Sequence, residues 1–168
     1  YRRREHFDSR IVLNDVVDGL RRMLARLQYI KLDPATILDA GSGTGNAIAG
    51  LTARYPGARI VALDAGRGPD GAVDDPLVHY VQGDLADPAT LAAAFRDGID
   101  SVFHLAAVVS GAAEADFDLG MRVNVDGTRG LLDACRQSGR CPVVVFASSV
   151  AVFGGALPAV VQDSTTPA

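Results

Sequence analysis

The chain has 168 residues, which is enough for one domain with a sizeable hydrophobic core. Its composition, 48% hydrophobic with no Trp, is typical of a compact soluble α/β domain and excludes a disordered chain. The net charge of −4 argues against nucleic acid as the main partner. With no signal peptide, no long apolar run and only Cys135 and Cys141, the sequence predicts a cytoplasmic protein with no membrane contact and no metal site.

Residues 1–33 are interpreted as a helical extension. Apolar residues recur at every third or fourth position between Ser9 and Lys31, which predicts one amphipathic helix on that stretch. Asp33-Pro34 ends it, because a residue before proline avoids the helical region. The extension holds eight Arg and Lys against five Asp and Glu. A solvated helix face is the simpler interpretation of this charge, and contact with an acidic partner is the alternative.

Strand and helix patterns alternate over the rest of the chain. The predicted strands are 36–40, 58–64, 78–82, 100–106 and 142–147, and the predicted helices are 44–55, 88–97 and 113–138. Alternation of this kind predicts a three-layer, Rossmann-like α/β domain with a parallel sheet, and right-handed crossovers give the strand order 3-2-1-4-5. The outer edge of the fifth strand is expected either to be covered by the tail 150–161 or to form a homodimer.

The glycine-rich run after the first strand is the most informative feature of the sequence. A strand end, an acid and a glycine turn before a helix together predict a nucleotide site, because the turn exposes backbone amides at a helix start. The spacing is not that of a dinucleotide loop, since Asn46 stands where G-x-G-x-x-G needs glycine. An ordinary tight turn is the alternative. The predicted cofactor contacts in this run are Asp39, Gly41, Ser42, Gly43 and Gly45.

Acidic residues also end the second and third predicted strands. A carboxylate at Asp64 can accept two hydrogen bonds from a ribose diol, or it can cap the following turn. Asp84, followed by Leu85, is placed to meet an adenine ring, or it is the N-cap of the next helix. Three consecutive loops at the carboxyl edge therefore suit an adenosine group.

Three segments carry a resemblance to a known family: 29–32, 37–45 and 55–64. On these segments, residues 5–64 resemble class I S-adenosylmethionine-dependent methyltransferases, in particular the malonyl-[acyl-carrier protein] O-methyltransferases of biotin synthesis. The resemblance implies that Asp39 and the loop amides hold the methionine end of the cofactor and that Asp64 holds the ribose.

The second half carries four different motifs, at 83–87, 104–107, 124–128 and 146–154. On these, residues 78–168 resemble extended short-chain dehydrogenase/reductases, the NAD-dependent epimerases and dehydratases. The resemblance implies that Ala106 lies along the cofactor, that Asp84 contacts adenine and that Ser149 is a vestigial active-site serine. Structural alternatives are close packing at Ala106 and a strand end at Ser149. For Asn124, a backbone contact that fixes a kink is preferred over catalysis, and His104 is interpreted as structural.

Neither active site is complete in this sequence. Dehydrogenases of this type need Tyr with Lys four residues later, but Lys31 is the only lysine and position 27 is Leu27. The hairpin and acceptor pocket of a methyltransferase are also missing. We interpret the chain as one hybrid or engineered domain joined within 65–77. It is expected to bind S-adenosylmethionine or S-adenosylhomocysteine more readily than NAD, without turnover. A working methyltransferase, an NAD oxidoreductase fragment and a purely structural module are the alternatives.

Overall fold

A computed structural model describes residues 9–66 and 74–153 as one parallel sheet covered by helices. The five strands lie in the order β3-β2-β1-β4-β5, and every neighbouring pair is parallel. The predicted fold class and strand order are therefore confirmed. The strands are β1 (Thr36–Ala40), β2 (Arg59–Asp64), β3 (Val78–Gln82), β4 (Ser101–His104) and β5 (Val143–Phe146).

Six α-helices connect or flank these strands within the described residues. A 3-10 turn, Leu27–Tyr29, continues α1, and another, Val150–Phe153, follows β5. Among the described helices, none combines the length and apolar character that a membrane crossing requires. The helices are α1 (Ser9–Arg26), α2 (Asn46–Arg54), α3 (Pro88–Phe95), α4 (Ser110–Ala115), α5 (Phe117–Gly120) and α6 (Thr128–Gln137).

The single helix predicted over 113–138 is wrong. Asp116 has extended backbone angles, and its carboxylate accepts a hydrogen bond from the Leu119 amide (3.0 Å), so it ends α4 and caps α5. Between α5 and α6 the helix widens into a π-helical stretch, Met121–Gly127. The first predicted helix is also shorter than expected, because its last turns tighten into the 3-10 form before Pro34.

The sheet buries one apolar cluster on each face. On one face β1 and β2 pack against α2 and the half-buried side chains of α1, including Leu20 and Met23. On the other face β1, β2 and β4 pack against α3 and α6, where Leu131 is fully buried. Because β1 pairs with both β2 and β4, the two halves of the sequence share one sheet and both clusters.

β5 lies at the sheet edge and pairs only with β4 among the described residues. Most of the tail expected to cover this edge lies outside the described residues, as does most of the join expected within 65–77. The predicted homodimer stays a prediction.

Gly41 stands where two backbone segments meet. Its φ of 92° favours glycine, and a Cβ there would overlap the backbone of Ala106. Gly57 has a similar φ of 90°, but a Cβ there would meet nothing within 4 Å. Comparing substitutions at Gly41 and Gly57 therefore distinguishes the cost of backbone strain from the cost of steric overlap.

We predict that Gly57→Ala lowers the free energy of unfolding by about 1 kcal/mol through backbone strain alone. Gly41→Ala should cost about 3 kcal/mol or more, because overlap with a rigid backbone adds to the strain. Urea denaturation of both variants measures the difference, and equal losses would contradict the close approach at Ala106.

Candidate functional site

The glycine loop is folded back onto the end of β2. Gly41, Gly43 and Gly45 all have positive φ, at 92°, 50° and 79°. The amides of Gly41 and Ser42 both donate to the Leu63 carbonyl, at 2.8 and 3.1 Å. Gly45 is the left-handed N-cap of α2, and this delays the helix by two positions relative to the predicted start. The loop therefore presents its backbone at the carboxyl edge of the sheet.

Asp64 is the acid that holds this loop in place. One carboxylate oxygen accepts from the Gly43 amide and the other from the Gly66 amide, both at 2.8 Å. The interpretation of Asp64 as a turn cap is therefore confirmed. A carboxylate offers about four acceptor positions, so these two bonds leave capacity for a ribose diol.

Asp39 is the most unusual group at this edge. The residue is fully buried, and neither carboxylate oxygen has a hydrogen-bond partner among the described residues. Burial, helped by the nearby charge of Asp64, raises the pKa of Asp39 to about 7. A buried carboxylate without partners is costly, so the position fits a ligand that brings a donor or a positive charge.

Asp84 lies at the end of β3 and is held by two contacts. One oxygen accepts from the Ala86 amide at 2.9 Å, and the other is 2.6 Å from an Arg122 guanidinium nitrogen. The alternative interpretation of Asp84 as a helix N-cap is wrong, because Asp87 caps α3 through the Ala89 amide. No local pattern points to Arg122, which lies in the π-helical stretch and reaches Asp84 through its packing.

The predicted contact residues of the second half are spread along the same edge. Leu85 is buried, and its side chain lies where a Cβ on Gly127 would meet it, so it serves packing. The Ala106 amide donates to the Ala40 carbonyl at 2.8 Å, which agrees with close packing there. Ser149 is exposed in the loop between β5 and the final 3-10 turn.

Two polar residues of the dehydrogenase-like motifs have structural partners. The Asn124 side chain bonds both the amide and the carbonyl of Val108, at 2.8 and 2.9 Å. Asn124 lies in the π-helical stretch and Val108 outside it, so the predicted backbone contact of Asn124 is confirmed. The His104 ring is buried, and its Nε2 is 2.7 Å from the Thr128 hydroxyl. Burial lowers the pKa of His104, which favours the neutral ring.

A five-stranded parallel sheet of this order, with a glycine loop after β1 and helices on both faces, defines a Rossmann-like α/β class. The model of the NAD dependent epimerase/dehydratase family matches residues 44–168. The chain belongs to this family.

Some of the similar proteins are dehydrogenases and others are methyltransferases, in line with the two resemblances of the sequence. D-erythronate dehydrogenase of Cupriavidus necator is 59% identical over 107 residues, which is 64% of this chain and 32% of that protein. Malonyl-[acyl-carrier protein] O-methyltransferase of Gallionella capsiferriformans is 50% identical over 60 residues, 36% of this chain and 20% of that protein. The mixed character predicted from the motifs is therefore confirmed.

The solved Thermus thermophilus UDP-glucose 4-epimerase in complex with NAD superposes with a TM-score of 0.67 and 29% identity. The match covers 79% of this chain and 44% of that structure. The chain thus spans less than half the length of each of these three proteins.

The buried Asp39 predicts an unusual pH dependence of stability. The pKa of Asp39 is about 7 in the folded state and about 4 in the unfolded chain, so between these pH values the native protein keeps a proton that the unfolded chain has lost. Stability therefore falls as pH rises through this window. We expect Asp39→Asn to remove this fall, which amounts to about 4 kcal/mol at most.

Urea denaturation of the wild type and Asp39→Asn between pH 4.5 and about 8 tests this expectation. The stability difference should grow in favour of the variant as pH rises. Asp97→Asn is the matched control, because the Arg59 guanidinium holds the pKa of the exposed Asp97 carboxyl below its usual range. Parallel pH profiles for the wild type and Asp39→Asn would contradict the buried, unpartnered state.

Proposed function

We propose that this chain binds an adenosine-containing cofactor at the carboxyl edge of its sheet, with S-adenosylmethionine or S-adenosylhomocysteine preferred over NAD. The observation that carries the preference is the buried carboxylate of Asp39, which has no partner among the described residues. The amino group of S-adenosylhomocysteine would supply the missing donor and a positive charge. Asp64 would bind its ribose. The amides of Gly41, Ser42 and Gly43 already donate to Leu63 and Asp64, so they are not assigned to the ligand.

Electrostatics supports the same preference. Asp39 and Asp64 lie close enough for the charge of Asp64 to raise the pKa of Asp39. The phosphates of NAD would bring further negative charge toward this pair, whereas an amino group offsets it. Asp84, engaged by Arg122, would contact the adenine end of either ligand.

NAD is the second candidate, and family membership favours it. The matched family is named for NAD dependence, and the compared epimerase structure is a complex with NAD. The loop sequence counts against it, because Asn46 occupies a position where dinucleotide loops carry glycine.

We propose that this chain alone turns over neither cofactor. The 168 residues contain one lysine, Lys31, with Leu27 four positions before it, so a Tyr-Lys pair at the required spacing does not occur. That pair would otherwise supply a phenol with a lowered pKa for proton transfer. A working methyltransferase stays an alternative that requires an acceptor site.

Isothermal titration calorimetry with S-adenosylhomocysteine, NAD and NADP tests the proposal. We expect heat with S-adenosylhomocysteine, and affinity that rises between pH 6 and about 8 as Asp39 ionises. Asp39→Asn should weaken binding about tenfold and flatten this pH dependence. Asp97→Asn, which removes a charge beside Arg59 on β2, should leave both unchanged.

The outcomes are distinct. Heat with NAD but not with S-adenosylhomocysteine would favour the second candidate. Absence of heat with all three ligands would overturn cofactor binding and leave a structural module.

We also propose that the chain is a hybrid of two families that complete one core. Pairing of β1 with both β2 and β4 supports this interpretation, since the methyltransferase-like and dehydrogenase-like segments meet in one sheet. Thermal unfolding followed by calorimetry and circular dichroism should show one cooperative transition. Two separate transitions would contradict a shared core.

A further inference from the structure

A cleft opens between α1 and the carboxyl end of β5, beside the glycine loop. Its volume is about 1020 Å³. Small-molecule sites commonly measure about 300–1,000 Å³, so the cleft is large enough for a whole ligand. The glycine-loop residues 41–44 line it, whereas Asp64, Asp84 and Ala106 do not, so the cleft shares only the loop with the proposed adenosine edge.

Apolar side chains form both walls of the cleft. Two of them are notably open to solvent for residues of their type: Ile30 is 41% exposed and Phe146 is 56% exposed. A concave apolar surface that stays exposed is typical of a binding site rather than of a packed core. The wall residues are Leu20, Met23, Leu27 and Ile30 on the α1 side and Val145 and Phe146 on the β5 side.

The charge in the cleft has one sign. Arg22 and Arg26 line it, and none of its described lining residues is acidic, although the whole chain carries a net charge of −4. Arg22 is paired with Asp18 at 2.6 Å. Arg26 forms no ion pair with any residue that the structure describes, so its guanidinium is available to an incoming anion.

We propose that this cleft binds an apolar carboxylate, a straight acyl chain whose carboxylate pairs with Arg26 and whose tail lies between Ile30 and Phe146. Apolar walls and an uncommitted guanidinium are complementary to the two parts of such a molecule. A guanidinium also matches the planar, two-oxygen geometry of a carboxylate. This inference goes beyond the proposed cofactor binding and does not require it.

Calorimetric titration with decanoate, in the absence of any cofactor, tests the proposal. Decanol and decyltrimethylammonium have the same tail with no charge and with the opposite charge. We expect decanoate to bind about tenfold more tightly than either, because a charge-assisted bond contributes at that level. Equal binding of the three would overturn the role of Arg26.

Substitutions on α1 provide matched controls. Arg26→Gln should weaken decanoate binding about tenfold, and Arg26→Lys should restore part of the loss. Arg21→Gln removes the same charge from the same helix at a position that does not line the cleft, so it should leave binding unchanged. If Arg21→Gln and Arg26→Gln weaken binding equally, the attraction comes from the general positive charge of the helix, and the proposed site is wrong.

A second variant tests the apolar wall. Ile30→Glu places an acid on the exposed wall and should abolish decanoate binding, while circular dichroism confirms that the sheet is retained. Sedimentation velocity tests whether a second copy of the chain occupies the cleft instead. If the protein binds no decanoate and forms a dimer that Ile30→Glu dissociates, the occupant is a second copy and the proposal is wrong. Loss of S-adenosylhomocysteine binding would leave this inference standing, because decanoate is titrated alone.

Discussion

The close approach of the β1 and β4 ends determines the geometry of this molecule. The Ala40 carbonyl accepts from both the Leu105 and the Ala106 amides at 2.8 Å, and Gly41 follows at once with a positive φ. A side chain at Gly41 would occupy the space that the Ala106 backbone takes. The two sequence segments with different relatives therefore meet at a point where only glycine fits.

The acids of the first three strands gather at one edge of the sheet. Parallel strands place all their carboxyl ends on the same side, so Asp39, Asp64 and Asp84 share it. The carboxylate oxygens of Asp64 and Asp84 accept from backbone amides, and Asp84 also pairs with the Arg122 guanidinium. Asp39 accepts no hydrogen bond among the described residues and is buried, so its charge is suppressed. The edge therefore holds one buried carboxylate whose oxygens have no donor among the described residues.

Local sequence predicted the strands well because each is a short apolar, β-branched run bounded by turn residues. The helix after β4 was predicted wrongly, since apolar periodicity continues through Asp116 while its side chain caps a new helix. The turn-capping role of Asp64 could be anticipated, because strand-end acids commonly bond the next amides. The contact of Arg122 with Asp84 depends on how a π-helical stretch packs, and no local pattern encodes that.

The helical extension shows how one amphipathic pattern can serve two purposes. Leu27 is 1% exposed and packs in the cluster beneath α2, so the core-facing part of the stripe behaves as the periodicity requires. Three residues later the chain has left the α-helix, and Ile30 turns its apolar surface to the cleft instead of the core. Because the last turn tightens into the 3-10 form, the apolar residue that ends the stripe lines the cleft and does not pack in the core.

Arg26, where α1 ends, adds a positive charge to the cleft. Its other lining residues are apolar or uncharged polar groups, together with the paired Arg22. The feature that distinguishes this cleft from an unfilled gap in the core is this combination of a concave apolar surface with a cation that no described residue neutralises.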